Sequence, residues 1–254
     1  KLALPVLLTA GLLVRLYKLT ASSIWHDEGY TLWLVRYNII EIIKRTARDV
    51  HPPAYYLTLK PWVSLFGTSE FSVRFLSVLF SLGIIWILFK IVSEIWDKEA
   101  AFWSSLFVAL SPFMVRFAQE ARMYGVVAFF TTVATYFLIQ YLKTKEKKWL
   151  LWYVPAITAA CYTQYYAFFA LLSHWIIMAL FTKKRRGLLH WQWWAANLAV
   201  FILYLPWFPI AYRQVTRVSK SYWIRPEWIT IKTIPDTILQ FVTYSHLDLS
   251  LIHI

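Results

Sequence analysis

Apolar residues occur in long runs along this chain, and polar residues collect in the short segments between the runs. Several runs approach the roughly 20 residues that a helix needs to cross a bilayer. The strands of a membrane barrel would instead alternate polar and apolar residues. The pattern therefore predicts an all-α fold, a polytopic bundle of transmembrane helices. The predicted spans, about seven in number, are 2–19, 74–96, 101–117, 124–142, two within 149–182, and 190–212.

The basic clusters 143–148 and 183–186 predict how the helices are oriented, because cytoplasmic loops are enriched in lysine and arginine. If both clusters are cytoplasmic, the segment 149–182 crosses twice, as a hairpin that turns near Thr163 and Gln164. Counting back from 143–148 then places the turn 119–124 on the outer face.

The apolar run 54–66 decides where the amino-terminal loop lies. It is short for a span and contains Lys60 and Pro61, which favours a helix lying in the membrane interface. We therefore expect a first external loop, 20–73, that contains interfacial helices, with the amino terminus in the cytoplasm. This loop and the turn 119–124 would share the outer face.

The predicted organisation is a transmembrane catalytic region, 1–212, followed by an external segment, 213–254. We expect the chain to be cut short within this segment. The last residues, 249–254, resemble translated adapter sequence and are expected to be non-native.

Composition agrees with a membrane protein and narrows its partners. Hydrophobic residues make up 59% of the chain and charged residues only 15%, against about 25% charged in ordinary soluble proteins. The net charge of +13 is explained largely by cytoplasmic loops, so membrane lipid rather than nucleic acid is the expected partner. The single cysteine, Cys161, excludes an internal disulfide within this chain and is expected to be a small core residue.

Asp27 and Glu28 follow the first apolar run and are the first candidates for catalysis. Adjacent side chains point in different directions, so the two acids would have different roles. Asp27 could act as a general base toward an attacking hydroxyl, with Glu28 orienting groups behind it. Alternatively, the two acids form salt bridges to Arg15 or Arg36, or Asp27 caps a helix.

Asp49 and His51 are two residues apart before Pro52 and Pro53, in a segment that proline favours as extended. Their side chains would project to one face, where they could share a divalent metal ion, or His51 could donate to a phosphate oxygen. A helix that starts at a proline with a polar cap is the alternative. A metal site of two residues is a weak signal.

The turn 119–124 holds a second charged group. Glu120 and Tyr124 are four residues apart and could share a helix face, with Arg122 pointing elsewhere. Arg122 could clamp a phosphate, since a guanidinium fork fits that geometry. A local ion pair is the alternative. The charged and polar residues predicted on the outer face are Arg15, Asp27, Glu28, Asp49, His51, Arg74, Glu120, Arg122 and Tyr124.

Four motifs in this order resemble the GT-C glycosyltransferases, in the bacterial branch related to protein O-mannosyltransferases and lipid A aminoarabinose transferases. The resemblance extends over roughly 2–212. The motifs are Asp27-Glu28, His51-Pro52-Pro53-Ala54-Tyr55-Tyr56, Arg74-Phe75-Leu76-Ser77, and Gln119-Glu120-Ala121-Arg122-Met123-Tyr124.

The resemblance implies transfer of a sugar from a polyprenyl-phosphate donor to an acceptor at the outer membrane face, with inversion. The acceptor could be a protein, a lipid or a glycan. Asp27 is then the base, with Glu28 beside it, while His51, Arg122 and Arg74 are expected near the donor phosphate. Arg15, Glu120 and Tyr124 would support the site. Some relatives use a divalent metal, for which Asp49 and His51 are the candidate ligands.

Two other classes fit some of these observations. A transporter or flippase for an anionic lipid or solute would show ionisable residues near mid-span, broken helices and internal repeats. Few such residues and no repeat occur in the sequence. A structural membrane subunit, anchored by its aromatic residues, is the third alternative.

Overall fold

The computed structural model describes residues 2–180 and 190–220, together with the isolated helical positions 233, 235, 237 and 239. Within this part of the chain the fold is all-helical, as predicted, with twelve helices and no strand. The predicted external segment beyond residue 220 and the doubtful residues 249–254 lie almost wholly outside the described residues. The division at residue 212 stays a prediction.

The amino-terminal third contains one apolar helix and three shorter helices that pack together. The predicted first external loop holds α2, α3 and α4, and the last of these has the bounds expected for the interfacial helix. Gly67 ends α4 with a φ of 76°, a conformation that glycine adopts without strain. These helices are α1 (Ala3–Leu16), α2 (His26–Leu34), α3 (Ile39–Arg48) and α4 (Ala54–Phe66).

The remaining helices form the bulk of the bundle. Two of them, α5 and α8, are long and apolar enough to cross a membrane, and two bent pairs would raise the number of candidate spans to four. The helices are α5 (Glu70–Ile95), α6 (Lys98–Leu110), α7 (Pro112–Ala118), α8 (Tyr124–Thr144), α9 (Lys147–Thr163), α10 (Ala167–Leu180), α11 (Trp191–Tyr204) and α12 (Phe208–Lys220). The total of about seven spans stays a prediction.

The hairpin predicted within 149–182 is present, since α9 ends at Thr163 and α10 begins at Ala167. Its helices pack with α8 and α11 around a core that includes Tyr153, Cys161 and Trp193. The buried position of Cys161 agrees with its expected role as a core residue. A Cβ on Gly83 would meet Phe129 at 2.6 Å, so the absent side chain allows α5 and α8 to approach closely.

Two predicted spans are broken helices in the structure, and whether each bent pair crosses the membrane stays a prediction. The run 101–117 divides at Ser111 into α6 and α7, which are bent by 58°, and the run 190–212 divides after Tyr204 into α11 and α12, which are bent by 73°. Proline explains both breaks, because it has no N–H to donate to the preceding turn. Pro112 begins α7, and Pro206 lies in the break before α12.

Buried Arg15 satisfies the carbonyls that are left free at the first break. Its Nη1 donates to the carbonyl of Ala109 at 2.8 Å, and its Nη2 lies 3.4 Å from the carbonyl of Val108. Its Nε donates to the Ser81 hydroxyl at 2.8 Å. Arg15 therefore ties α1 to α5 and to the end of α6.

Candidate active site

The acidic pair lies in the first turn of α2, where the helix dipole favours negative charge. Glu28 is the third residue of the helix, and its Oε2 accepts from the Trp25 N–H at 3.4 Å, which caps the helix start. The two neighbouring acids face different partners, because successive side chains are about 100° apart around a helix.

Glu28 points inward and is fully buried. Arg74, in the second turn of α5, donates to it twice, Nε to Oε1 at 2.9 Å and Nη2 to Oε2 at 2.7 Å. The Ala121 N–H donates to Oε1 at 2.8 Å. Burial alone would raise the pKa of the Glu28 carboxyl, but the hydrogen bonds from Arg74 and Ala121 together outweigh burial and lower it. Glu28 is therefore an ionised carboxylate with every oxygen engaged by the protein.

Arg74 has no spare donor group in this arrangement. Besides Glu28, its Nη1 donates to the carbonyls of Leu19 and Ser22, at 2.9 and 2.8 Å, and its Nη2 to the carbonyl of Ser23 at 3.1 Å. The prediction that Arg74 binds a donor phosphate is untested. The contacts observed give this residue a different task, which is to hold the segment before α2 against α5.

Asp27 points away from Glu28 and keeps 36% of its side chain exposed. Arg122 approaches it from the turn before α8, with Nη2 lying 3.4 Å from Oδ2 and Nη1 lying 3.4 Å from the Asp27 carbonyl. The sequence suggests Arg15 or Arg36 as salt-bridge partners of the two acids. In the structure, Arg74 pairs with Glu28 and Arg122 with Asp27. Asp27 is thus the accessible acid of the two.

The turn that carries Arg122 is fixed by contacts with two other elements. Ser77, one turn beyond Arg74 on α5, donates to the Glu120 carbonyl at 2.7 Å. The side chain of Gln119 donates to the carbonyls of Arg15 and Tyr17, at 3.0 and 2.8 Å. The turn 119–123 is therefore held by α5 and by the end of α1.

Glu120 and Tyr124 do not share a helix face, because Glu120 precedes the start of α8. Glu120 instead forms an ion pair with Arg116 on α7 at 2.7 Å. This is the local ion pair that the sequence left open as the alternative. Burial raises the pKa of the Glu120 carboxyl, and the nearby charge of Arg116 opposes that shift. The ring of Tyr124 packs edge-on against Phe117, with centroids 4.9 Å apart.

Arg122 is buried, and its Nε has no hydrogen-bond partner within the described part of the chain. Tyr56, on α4, is also fully buried, and its hydroxyl interacts electrostatically with Arg122. Burial raises the pKa of the Tyr56 hydroxyl, which therefore stays protonated. Arg122 consequently presents one unsatisfied donor beside a neutral hydroxyl and the Asp27 carboxylate.

Asp49 and His51 lie next to this group at the start of α4. Their side chains are half-buried, with His51 Nδ1 lying 3.4 Å from Asp49 Oδ2. Burial, with the adjacent Asp49 carboxylate, raises the pKa of Tyr30 to about 12. Asp49 therefore acts on both Tyr30 and Tyr56, which connects it to the surroundings of Arg122.

Asp49 and His51, the predicted metal ligands, are not joined by a third ligand side chain in the described residues. Over residues 2–180 and 190–220, no group of three or more histidine, cysteine, aspartate or glutamate side chains could hold one ion. An ion at Asp49 and His51 would need water, backbone or substrate oxygens to complete its coordination. The metal site at Asp49 and His51 therefore stays a prediction.

Tyr30 and Tyr56 are not among the site residues that the sequence predicts. Tyr56 belongs to the motif that begins at His51, and Tyr30 is one helical turn after Asp27, so both spacings could have indicated them. Arg15, a predicted supporting residue of the site, lies apart from this group and contacts α5 and α6. The structure therefore brings Asp27, Arg122, Asp49 and His51 to one region, with Glu28 and Arg74 behind it.

The apolar helices indicate a helical membrane protein. Its charged site consists of a buried ion pair, Glu28 and Arg74, and an accessible carboxylate, Asp27, beside Arg122. The family profile described as dolichyl-phosphate-mannose-protein mannosyltransferase matches residues 50–210, more than half of the chain. The chain belongs to this family, which is a GT-C glycosyltransferase family, as the resemblance implied. No curated protein matched the chain.

Membership of this family implies that the protein is a glycosyltransferase that depends on a polyprenyl-phosphate-linked sugar. The matched residues include His51, Arg74, Glu120 and Arg122, whereas Asp27 and Glu28 precede them. The family match therefore gives no support for a role of Asp27 and Glu28, and only their geometry can support one.

Proposed function

We propose that this protein transfers a sugar from a polyprenyl-phosphate donor to an acceptor at the outer face of the cytoplasmic membrane, with inversion at the anomeric carbon. The observation that carries the proposal is the division between the two acids. Glu28 is sealed inside the protein by Arg74 and Ala121, while Asp27 keeps an exposed carboxylate beside Arg122.

In the proposed reaction, the acceptor hydroxyl oxygen attacks the anomeric carbon, and its proton passes to the Asp27 carboxylate. The bond between that carbon and the donor phosphate oxygen breaks, and polyprenyl phosphate leaves with the electron pair. A single displacement of this kind inverts the configuration. The leaving phosphate needs charge compensation more than a proton, which suits a buried arginine.

Arg122 is the proposed partner of the donor phosphate because its Nε is buried without a hydrogen-bond partner in the described residues. Its contacts with Asp27 are long for charge-assisted hydrogen bonds, at 3.4 Å, so a phosphate oxygen could compete for them. His51 is the second proposed donor group. Glu28 and Arg74 are proposed to position Asp27 rather than to touch the substrate.

An apolar groove beside Tyr124 could accept the start of the isoprenoid chain. The groove has a volume of about 190 Å³ and is lined by α5, α7, α8 and the turn between α9 and α10. Its apolar lining and its position next to the turn that carries Arg122 support a donor whose phosphate and lipid tail are held together.

The test compares Asp27→Asn with Asp97→Asn, a matched control at the exposed start of α6. Membranes that contain each full-length variant are supplied with labelled polyprenyl-phosphate sugars and an envelope fraction as acceptor. Loss of the general base should lower transfer by roughly 10²- to 10⁴-fold, with the control unchanged. Unchanged transfer by Asp27→Asn, in protein with normal thermal unfolding, would exclude Asp27 as the base.

Transport of an anionic lipid is the second candidate, because the two bent helix pairs resemble the broken helices of transporters. The carbonyls at the first bend are occupied by Arg15, however, which leaves them less able to coordinate a solute. Movement of a fluorescent polyprenyl phosphate across vesicles, unaffected by Asp27→Asn, would favour transport.

A further inference from the structure

A polar cavity of about 120 Å³ lies beside the Glu28–Arg74 pair, and neither Asp27 nor Arg122 lines it. Its walls come from the end of α1, the segment before α2 and the end of α7. Glu28 and Arg74 form its inner side, with Lys18, Arg116 and Glu120 around it. The cavity is large enough for a small polar group with its water.

The charges around the cavity do not cancel. Glu28 is paired with Arg74 at 2.7 Å, and Glu120 with Arg116 at 2.7 Å. Lys18 is the third cation, and no carboxylate lies within ion-pair distance of it among the described residues. Two pairs and one additional lysine leave an excess positive charge, which favours an anion.

The backbone at Lys18 also has a special conformation. Its φ of 56° is left-handed, at the position after a helix end where glycine or asparagine is usually found. A lysine there has a conformational cost that glycine would not have.

The ring of Tyr17, beside Lys18, is 68% exposed, as is usual for an aromatic residue at a membrane surface. Lys18 Nζ lies 5.4 Å from the centre of this ring. This arrangement is the one expected if the cavity lies near lipid headgroups.

We propose that this cavity binds a phosphate group, through Lys18 and Arg116, at a site separate from the donor phosphate at Arg122. The phosphate belongs either to the headgroup of a lipid or to a soluble molecule. Such a site would give the enzyme a means to select an acceptor or a neighbouring lipid that carries phosphate. The proposal goes beyond the transfer reaction, and binding can be measured without turnover.

The test uses Lys18→Gln, with Lys44→Gln as the matched control, because Lys44 is an exposed lysine on α3 outside the cavity. One arm titrates inorganic phosphate into the full chain in an uncharged detergent. The other measures retention of phosphatidic acid from phosphatidylcholine nanodiscs by native mass spectrometry. Lys18→Gln should weaken binding roughly tenfold in at least one arm, and the control should leave it unchanged.

The two arms separate the sources of the phosphate. An effect only on phosphatidic acid assigns the cavity to a lipid headgroup, and an effect on both ligands assigns it to phosphate in general. Lys18→Arg should restore binding, which shows that the loss is not due to misfolding. Equal binding by Lys18→Gln and Lys44→Gln would overturn the proposal, and so would binding that is lost in Arg122→Gln but not in Lys18→Gln. Asp27→Asn should not affect binding, so failure of the proposed reaction is distinguishable from failure of this site.

Discussion

Arg74 holds Glu28 through two hydrogen bonds, Nε to Oε1 at 2.9 Å and Nη2 to Oε2 at 2.7 Å, and so joins the second turn of α5 to the first turn of α2. Both side chains are almost completely buried. The pair fixes the start of the helix that carries Asp27. Its loss should therefore affect the stability of the fold as well as catalysis.

Glu28→Gln should destabilise the protein strongly, because it leaves the Arg74 charge buried without its partner. Removing one member of a buried ion pair usually costs about 3–5 kcal/mol. Thermal unfolding in detergent measures the change, and Glu41→Gln on the exposed face of α3 is the control. A Glu28→Gln protein that unfolds like the control would show that the pair contributes no net stability.

The stabilisation from Glu28 should depend on pH in a direction set by its lowered pKa. A carboxyl with a lower pKa in the folded state contributes its full stability above the unfolded value, about 4.3, and loses it as the pH falls through the folded value. The unfolding temperatures of wild type and Glu28→Gln, measured from neutral to acidic pH, should therefore converge below about pH 4. A constant difference across this range would contradict the lowered pKa.

Glu120 should show the opposite dependence, because burial raises the pKa of its carboxyl. The folded state then binds the proton more readily than the unfolded state does, so the contribution of Glu120 becomes more favourable as the pH falls through the raised folded value toward about 4.3. Glu120→Gln should lose this dependence. The measurement is the unfolding temperature of wild type and variant at matched pH values, and identical profiles would refute it.

Arg15→Met should destabilise the break between α6 and α7, because the carbonyls of Val108 and Ala109 lose their donor. Each buried polar group left unsatisfied costs about 1–3 kcal/mol. Arg36→Met, on an exposed side chain, is the control in the same unfolding experiment. Equal unfolding of the two variants would show that water replaces Arg15 at these carbonyls.

The outer-face orientation can be tested by labelling with a membrane-impermeant thiol reagent. Thr68→Cys lies just before α5, at an exposed position that does not disturb the helix cap at Ser69. Lys148→Cys lies on the face predicted to be cytoplasmic. Buried Cys161 should not react. We expect labelling of Thr68→Cys in intact cells and of Lys148→Cys only after lysis, and the reverse pattern would contradict the predicted outer-face orientation.

The sequence by itself determined the all-helical fold, the turn between α9 and α10, and the bounds of α4. These features depend on local signals, namely the length of apolar runs and the positions of charge, proline and glycine. The same signals did not predict the bends in the runs 101–117 and 190–212, because composition shows that a segment is apolar but not that it is straight. Pro112 in the first run and Pro206 in the second were the signals for a break.

Only the tertiary structure decided the surroundings of the two adjacent acids. Glu28 contacts Arg74, 46 residues away, and Asp27 contacts Arg122, 95 residues away. Contacts over such separations depend on how α2, α5 and the turn before α8 pack, and no local pattern encodes them. A rotation of about 100° between neighbouring helical residues then buries Glu28 and leaves Asp27 exposed.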